Sequence, residues 1–536
     1  MKQIVITLLL LLVFYGAHCS KQQKKKTTPN ILFAISDDQS YPHTSFAGAK
    51  FVETPAFDRV AREGVFFSNC IAGSPGCAPS RSAIVTGRHH WQNEQSGQHA
   101  SSWMKKYVPF VDLLDANGYV TGRTGKGVAP FRYARNENDS LWRATDAAGI
   151  AHNNIRYDNA SSDERTAKGI HSDDYFENFK YFMENVREEK PFFFWYGGYE
   201  PHRAYEQDSW KRNNKALDQV DVPGFFPDHE IVRGDILDYA VEIEWFDLHL
   251  QRMLSYLEEI GELENTIVIV TADNGMPFPT AKANGYEYGI HVPFAVRFPK
   301  EFPGGRIVED PVGFVDLAPT ILELTGTAND KMLPMSGKSI VNLLESKKEG
   351  VVDPSKKYAF SGRERHSSSR YLNWGYPQRM IRSKDYLLIW NIKPERWPAG
   401  APQRLADGTE DKLLPMYGID DDGIHHSDWA FTDIDAAPTK SFIIENMEDE
   451  TIRPFFDLAV EKRPEFEFFN VKDDPFCLNN LAGIPAYAEI ENEMKSALMK
   501  ELKKSEDPRV VDPDKEVFDS YIRYSPMREF PKPDDK

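Results

Sequence analysis

Three short apolar runs constrain the fold of this chain more than any other feature. They are Ile31-Leu32-Phe33-Ala34-Ile35, Phe192-Phe193-Phe194-Trp195-Tyr196 and Thr266-Ile267-Val268-Ile269-Val270. None alternates with polar residues, so each reads as a strand buried on both faces, as in the middle of a parallel sheet. Around them, residues 55–63, 108–116, 239–260 and 317–324 have the character of helices. Strands alternating with helices predict an α/β domain on a mostly parallel sheet. Each run is followed by polar residues: Asp37-Asp38, Glu200-Pro201-His202 and Asp273-Asn274. In open α/β sheets ligands bind at the carboxyl ends of the strands, so the three polar clusters are expected to converge on one site.

The chain has 536 residues, enough for two or three domains. The first is expected over residues 29–350. In the second, 351–536, residues 356–360, 386–390 and 465–471 read as strands and 486–502 as an amphipathic helix. Residues 394–450, rich in Pro, Gly and Asp, read as long surface loops, and the tail beyond Lys504 as polar chain wrapping the surface. This pattern predicts a small antiparallel α+β subdomain.

At the other end, Lys2 precedes an apolar run, residues 4–14, too short to span a bilayer but suited to a secretory signal. Residues 1–19 read as that signal and 20–28 as a flexible tether. Cys19 resembles a bacterial lipoprotein acylation site, with ordinary cleavage near Ala17 as the alternative. The expectation is an exported protein, a periplasmic or cell-surface lipoprotein of a bacterium, with membrane association through a lipid anchor only. A net charge of −18 excludes a general nucleic-acid binder, and four cysteines exclude a disulfide scaffold.

Asp37, Asp38, Asp273 and Asn274 are hard oxygen donors gathered without Cys or His spacing. Such donors select Ca²⁺ or Mg²⁺ over zinc, whereas helix capping is the plainer role for strand-end Asp and Asn. In Cys77-Ala78-Pro79-Ser80-Arg81-Ser82-Ala83-Ile84-Val85-Thr86-Gly87, Pro79 suits the first turn of a helix. That places Cys77 by a helix N-terminus whose free amides favour anions, with Arg81 one turn further on.

The pattern C-x-P-S-R-x-x-x-x-T-G resembles the signature of the type I sulfatases, in which this cysteine is oxidised to formylglycine. The resemblance continues through Asp37-Asp38, Thr54-Pro55-Ala56-Phe57-Asp58, Asp273-Asn274-Gly275, Tyr286-Glu287-Tyr288-Gly289-Ile290-His291-Val292-Pro293 and Asp316-Leu317-Ala318-Pro319-Thr320. Asp273 to Pro279, Tyr376-Pro377 and Phe468-Phe469-Asn470 look most like the sulfamidase-related carbohydrate branch.

The resemblance implies an alkaline-phosphatase-like α/β fold with a smaller C-terminal subdomain carrying an antiparallel sheet. It implies one Ca²⁺ on Asp37, Asp38, Asp273, Asn274 and position 77, and a formylglycine at 77 made by a maturation enzyme. Arg81, Lys126 and His202 would act with position 77, His202 as acid to the leaving group; Lys126, His202, Lys282 and His291 would bind substrate. The implied activity is hydrolysis of sulfate esters on a sulfated glycan of ulvan type or similar. The alternatives are an N-sulfoglucosamine sulfohydrolase, a formylglycine-dependent phosphodiesterase or phosphonate hydrolase, and an inactive glycan-binding homologue. Arg132, Arg135, Arg363, His366, Arg379 and Trp390 are candidates for contacts to neighbouring sugars.

One departure matters. The family usually carries a His two or three residues after the lysine of its G-K motif, and here Val128 and Ala129 follow Lys126. By position, His291 or Arg81 is expected to substitute.

Overall fold

A computed structural model describes residues 28–135, 138–159 and 164–533. The expected signal, Cys19 and all but the last residue of the expected tether lie outside the described residues. Among the described residues no helix is long and apolar enough to cross a membrane.

The three apolar runs become Asn30–Ser36 (β1), Phe192–Gly197 (β4) and Thr266–Ala272 (β5) of one sheet. Its other strands are Val65–Phe67 (β2), Val120–Gly125 (β3), Phe294–Arg297 (β6) and Arg306–Val308 (β7). The order is β7-β2-β6-β5-β1-β4-β3, and only β6 runs against the rest. β1 is flanked on both sides by parallel neighbours, with Ile35 opposite Gly197 and Ser36 opposite Ala272. The carboxyl ends of the three strands therefore stand side by side.

Side chains alternate across the sheet, so each run feeds two cores. Ile31, Phe33, Phe193, Trp195, Ile267 and Ile269 face helices Cys77–Thr86 (α2), Phe110–Ala116 (α3) and Leu317–Thr325 (α6). Leu32, Ala34, Phe194, Tyr196, Val268 and Val270 face helices Pro55–Glu63 (α1), Tyr175–Asn185 (α4) and Glu230–Glu259 (α5). Helix α5 starts nine residues before the expected Tyr239. Its amino-terminal half carries Arg233, Gly234, Asp235 and Asp238, which mask the buried positions Val232, Ile236 and Leu237.

The second sheet is antiparallel: Ala359–Arg363 (β8), Gln378–Arg382 (β9), Tyr386–Asn391 (β10) and Phe466–Asn470 (β11). Helix Ala488–Lys504 (α8) packs on it through Met494, Leu498 and Leu502. β8 lies three residues beyond the expected strand start, and β9 is a strand that the sequence does not announce. Its Arg379 and Arg382 are buried because Asp507 with Glu364, and Glu287, accept their hydrogen bonds.

Residues 394–450 are surface loops only in part: 407–413 and 421–424 are irregular and mostly exposed, but the rest is packed into the molecule. They contain helix Pro438–Glu445 (α7) and bury Ala430, Phe431, Ile434, Ile443 and Ile444 against Ile236 and Leu237 of α5. Buried Lys440 holds the segment together by donating to the carbonyls of Ser427, Ala430, Phe431 and Ile434. The tail is likewise anchored rather than laid on the surface, with Asp507, Phe518 and Phe530 buried.

Candidate active site

Helix α2 presents Cys77 in its first turn, just after the extended N-cap Gly76, and closes on Gly87 in the left-handed region (φ 65°). All ten of its residues are buried. Ser80 Oγ donates to the Asp273 carbonyl at 2.6 Å, which pins the helix to the end of β5. Arg81, one turn after Cys77, donates through Nε to Asp273 Oδ2 at 2.6 Å and through Nη1 to the Lys126 and Gly127 carbonyls. Its Nη2 lies 3.7 Å from Asp37 Oδ1.

The acids follow the strand ends. Asp38 has φ 75°, a left-handed turn that Asp tolerates better than most residues. Its backbone N–H donates to Asp273 Oδ1 at 3.0 Å, and Asn274 Nδ2 donates to Asp38 Oδ1 at 2.8 Å. Lys126 Nζ reaches Asp37 Oδ2 at 2.6 Å, and Lys282 Nζ reaches Asp38 Oδ2 at 2.6 Å. One oxygen each from Asp37 and Asp273 lies with Cys77 Sγ in a group no more than 4.8 Å across.

A metal ion fits these donors. Asp37 Oδ1 and Asn274 Oδ1 are buried oxygens without a hydrogen-bond partner among the described residues. Unpaired buried acceptors are costly, and a hard cation satisfies both. Burial alone would raise Asp37, yet Lys126, His202 and Arg81 hold it well below the usual carboxylate range. Burial, with the charge of Asp37, pushes Asp273 up to about 7. Burial would lower Lys126 and Lys282, but Asp37 and Asp38 respectively keep them above the ordinary lysine range. Burial also pushes the Cys77 thiol up, so as a thiol it stays protonated and is a weak nucleophile.

His202 follows the cis Glu200-Pro201 peptide beyond β4. Its Nδ1 donates to the Arg203 carbonyl at 2.6 Å, and its Nε2 lies 3.8 Å from Asp38 Oδ2. A cavity of about 460 Å³ is lined by Asp37, Cys77, His99, Lys126, Glu200 and His202, among others, a size that admits a small ligand.

The structure thus brings together Asp37, Asp38, Cys77, Arg81, Lys126, His202, Asp273, Asn274 and Lys282. His291 is not in the group. Its Nδ1 meets Glu287 Oε2, its Nε2 meets the Ser68 carbonyl, and its ring stacks on Tyr41 at 3.9 Å. With both nitrogens engaged it has none to offer a substrate, so it does not substitute for the residue absent at 128 and 129. Arg363 and Arg379 are also corrections. They are buried, on Asp433 and on Asp507 with Glu364 respectively, and neither offers a face to sugars.

Asp435 was missed. Its carboxylate sits 3.0 Å from Lys282 Nζ and groups with Asp38 and His202 within 4.8 Å. The one local signal is Pro438, which suits a helix start three residues later.

The chain matches the family described as Sulfatase over residues 29–327, and the one described as N-sulphoglucosamine sulphohydrolase, C-terminal, over residues 281–397. An ulvan-active sulfatase of Formosa agariphila is 24% identical over 504 residues, covering 88% of this chain and 74% of that protein. The N-sulphoglucosamine sulphohydrolase of Homo sapiens is 25% identical over 404 residues, covering 68% and 73%. Among solved structures, a protein in complex with its substrate D-glucosamine-2-N,6-O-disulfate shares the fold, with a TM-score of 0.60 and 20% identity, covering 91% of this chain and 99% of that one.

Proposed function

This chain belongs to the sulfatase family and is a sulfuric ester hydrolase, and from that premise we propose that it desulfates a sulfated polysaccharide or oligosaccharide, of ulvan type or similar, using Ca²⁺ and a formylglycine derived from Cys77. The observation that carries this reading is the burial of Cys77 at a helix N-terminus between the carboxylates of Asp37 and Asp273 and the ammonium of Lys126. The N-terminal apolar run supports an exported enzyme, lipid-anchored if Cys19 is acylated, and the two sheets support a catalytic domain to about residue 350 with a C-terminal subdomain beyond it.

Ca²⁺ held by Asp37, Asp38, Asp273 and Asn274 would supply a fixed positive charge against a sulfate oxygen. Once a maturation enzyme has converted its thiol, position 77 would supply a hydrated aldehyde, one hydroxyl for attack on sulfur and a second whose loss of a proton releases sulfate.

The rest is the work of this chain's own side chains. Lys126 and Lys282 lie on either side of the acids and put positive charge where sulfuryl oxygens gather it, preorganised by their ion pairs. Arg81 orients Asp273 and the Lys126 backbone through Nε and Nη1, while its buried Nη2, 3.7 Å from Asp37 Oδ1, has no hydrogen-bond partner among the described residues and adds its charge to the site. Because His202 Nδ1–H is committed to the Arg203 carbonyl, the proton for the leaving oxygen or nitrogen comes from Nε2. Asp435, beside that leaving-group side, accepts hydrogen bonds from sugar hydroxyls or an amine.

A second reading, action on N-sulfoglucosamine, is favoured by the match of residues 281–397 to the N-sulphoglucosamine sulphohydrolase C-terminal family. The test is a panel of ulvan oligosaccharides, N-sulfo-D-glucosamine, D-glucosamine 6-sulfate, a phosphate diester and a phosphonate monoester. Release of sulfate from an ulvan oligosaccharide with the highest kcat/KM is the expected result. Preference for N-sulfo-D-glucosamine establishes the second reading, and preference for either phosphorus ester overturns both.

A further inference from the structure

The cavity that holds Cys77 is also lined by His99, half-buried in a loop that carries no recognisable motif. It shares that wall with Pro130, directly after Val128 and Ala129, whose side chains have no polar atom to offer.

The loop is knitted to the C-terminal tail. Gln98 Nε2 donates to the Phe518 carbonyl at 3.0 Å, Ser101 Oγ to the Ile522 carbonyl at 2.9 Å, and the Tyr524 N–H to the Ala100 carbonyl at 2.7 Å. Arg365 Nη1 ties the tail from the other side through the Tyr521 carbonyl at 2.6 Å. These bonds deliver Arg523, whose Nη1 lies 3.3 Å from His99 Nδ1 and 3.3 Å from the His366 carbonyl.

A guanidinium has only donors, so Nδ1 of His99 must accept. The ring is then neutral and carries its hydrogen on Nε2. Burial together with His366, Arg523, Lys126 and Lys282 agrees, holding this imidazole well below its ordinary range. A neutral N–H donor in the field of Lys126 and Lys282 suits an anionic oxygen.

We propose that His99 binds the substrate's sulfuryl group, its Nε2–H donating to a sulfuryl oxygen beside position 77, and that Arg523 is the positioning residue that sets this tautomer. The proposal rests on the sulfatase reading above and adds to it a contact from the tail.

The test uses the full chain with residue 77 converted and Ca²⁺ present. Calorimetric titration with inorganic sulfate and turnover of 4-nitrophenyl sulfate are compared for wild type, His99→Ala, His99→Gln, Arg523→Met and Arg523→Lys. Loss of a hydrogen bond to a charged group predicts about ten- to a hundredfold weaker sulfate binding and a similar fall in kcat/KM for His99→Ala. His99→Gln restores most of both, because its amide N–H reaches where Nε2–H does. Arg523→Met shows a smaller loss, in KM more than kcat, which Arg523→Lys recovers at an unchanged melting temperature. Unaltered sulfate binding in His99→Ala overturns the proposal, as do equal losses in the Ala and Gln variants that track melting temperature. A wild type that neither binds sulfate nor cleaves the aryl ester overturns the sulfatase reading and this proposal together. An active wild type with an unaffected His99→Ala overturns this proposal alone.

Discussion

Asp38 is held in a left-handed backbone turn, with Asn274 on one carboxylate oxygen and Lys282 on the other. Such local strain persists only where the surroundings over-determine it, and it is concentrated at functional sites. Asp38→Asn and Asp273→Asn keep the shape and remove a charge from the proposed metal site. For the wild type, Ca²⁺ at about 100 times its Kd should add about 2.7 kcal/mol of stability, because it binds only the folded state. Each variant should lose both that increment and its activity, as read by thermal melting with and without chelator. If exhaustive chelation changes neither melting nor turnover in the wild type, the metal assignment fails. His202 makes a separate prediction. A sugar alkoxide needs a proton as it leaves and a nitrophenolate scarcely does, so His202→Ala should cost about a hundredfold or more on a sugar sulfate. The loss on 4-nitrophenyl sulfate should be far smaller. Equal losses on the two substrates would show that the acid lies elsewhere.

The elements were legible in proportion to how uniformly their residues advertise burial. β1, β4 and β5 are built on largely apolar runs, are buried throughout and stand where the sequence places them. β9 was illegible because Gln378, Arg379 and Arg382 read as surface, and only distant partners make their burial tolerable. The same holds for residues 394–450, whose order comes from Lys440 and its four carbonyls rather than from an apolar period. One such partner joins the two sheets: Glu287, before β6, accepts from Arg382 of β9 at 2.6 Å. Burial would raise its pKa, but Arg382 and His291 lower it to about 2 from the ordinary glutamate value of 4.5. A depressed carboxylate stabilises the fold above the unfolded pKa and loses that contribution as pH falls through the folded one. At 1.36 kcal/mol per unit, the contribution is about 3 kcal/mol near neutrality. Glu287→Gln should therefore lower the urea midpoint at pH 7, and the gap to wild type should close between about pH 4.5 and 2. A gap that stays constant over that range would contradict the assignment.

Across the whole molecule, the gathering of Asp37, Asp38, Asp273 and Asn274 with Cys77 was legible because strand ends and a helix start collect them along short stretches of chain. Asp435 and His99 were not, since each reaches the site only after segments far apart in sequence have packed: 394–450 on α5, and the tail on the loop of residues 98–102. The site is thus completed by chain from well beyond the first sheet. What unites these parts is the claim that position 77, converted from cysteine, is the nucleophile of sulfate ester hydrolysis. Its most direct test is peptide mass spectrometry of residue 77 on preparations made with graded amounts of a maturation enzyme, with sulfate release measured on each. The account predicts turnover proportional to the aldehyde fraction, with none in Cys77→Ala. Full turnover by a preparation in which residue 77 is entirely thiol, or by Cys77→Ala, would contradict it.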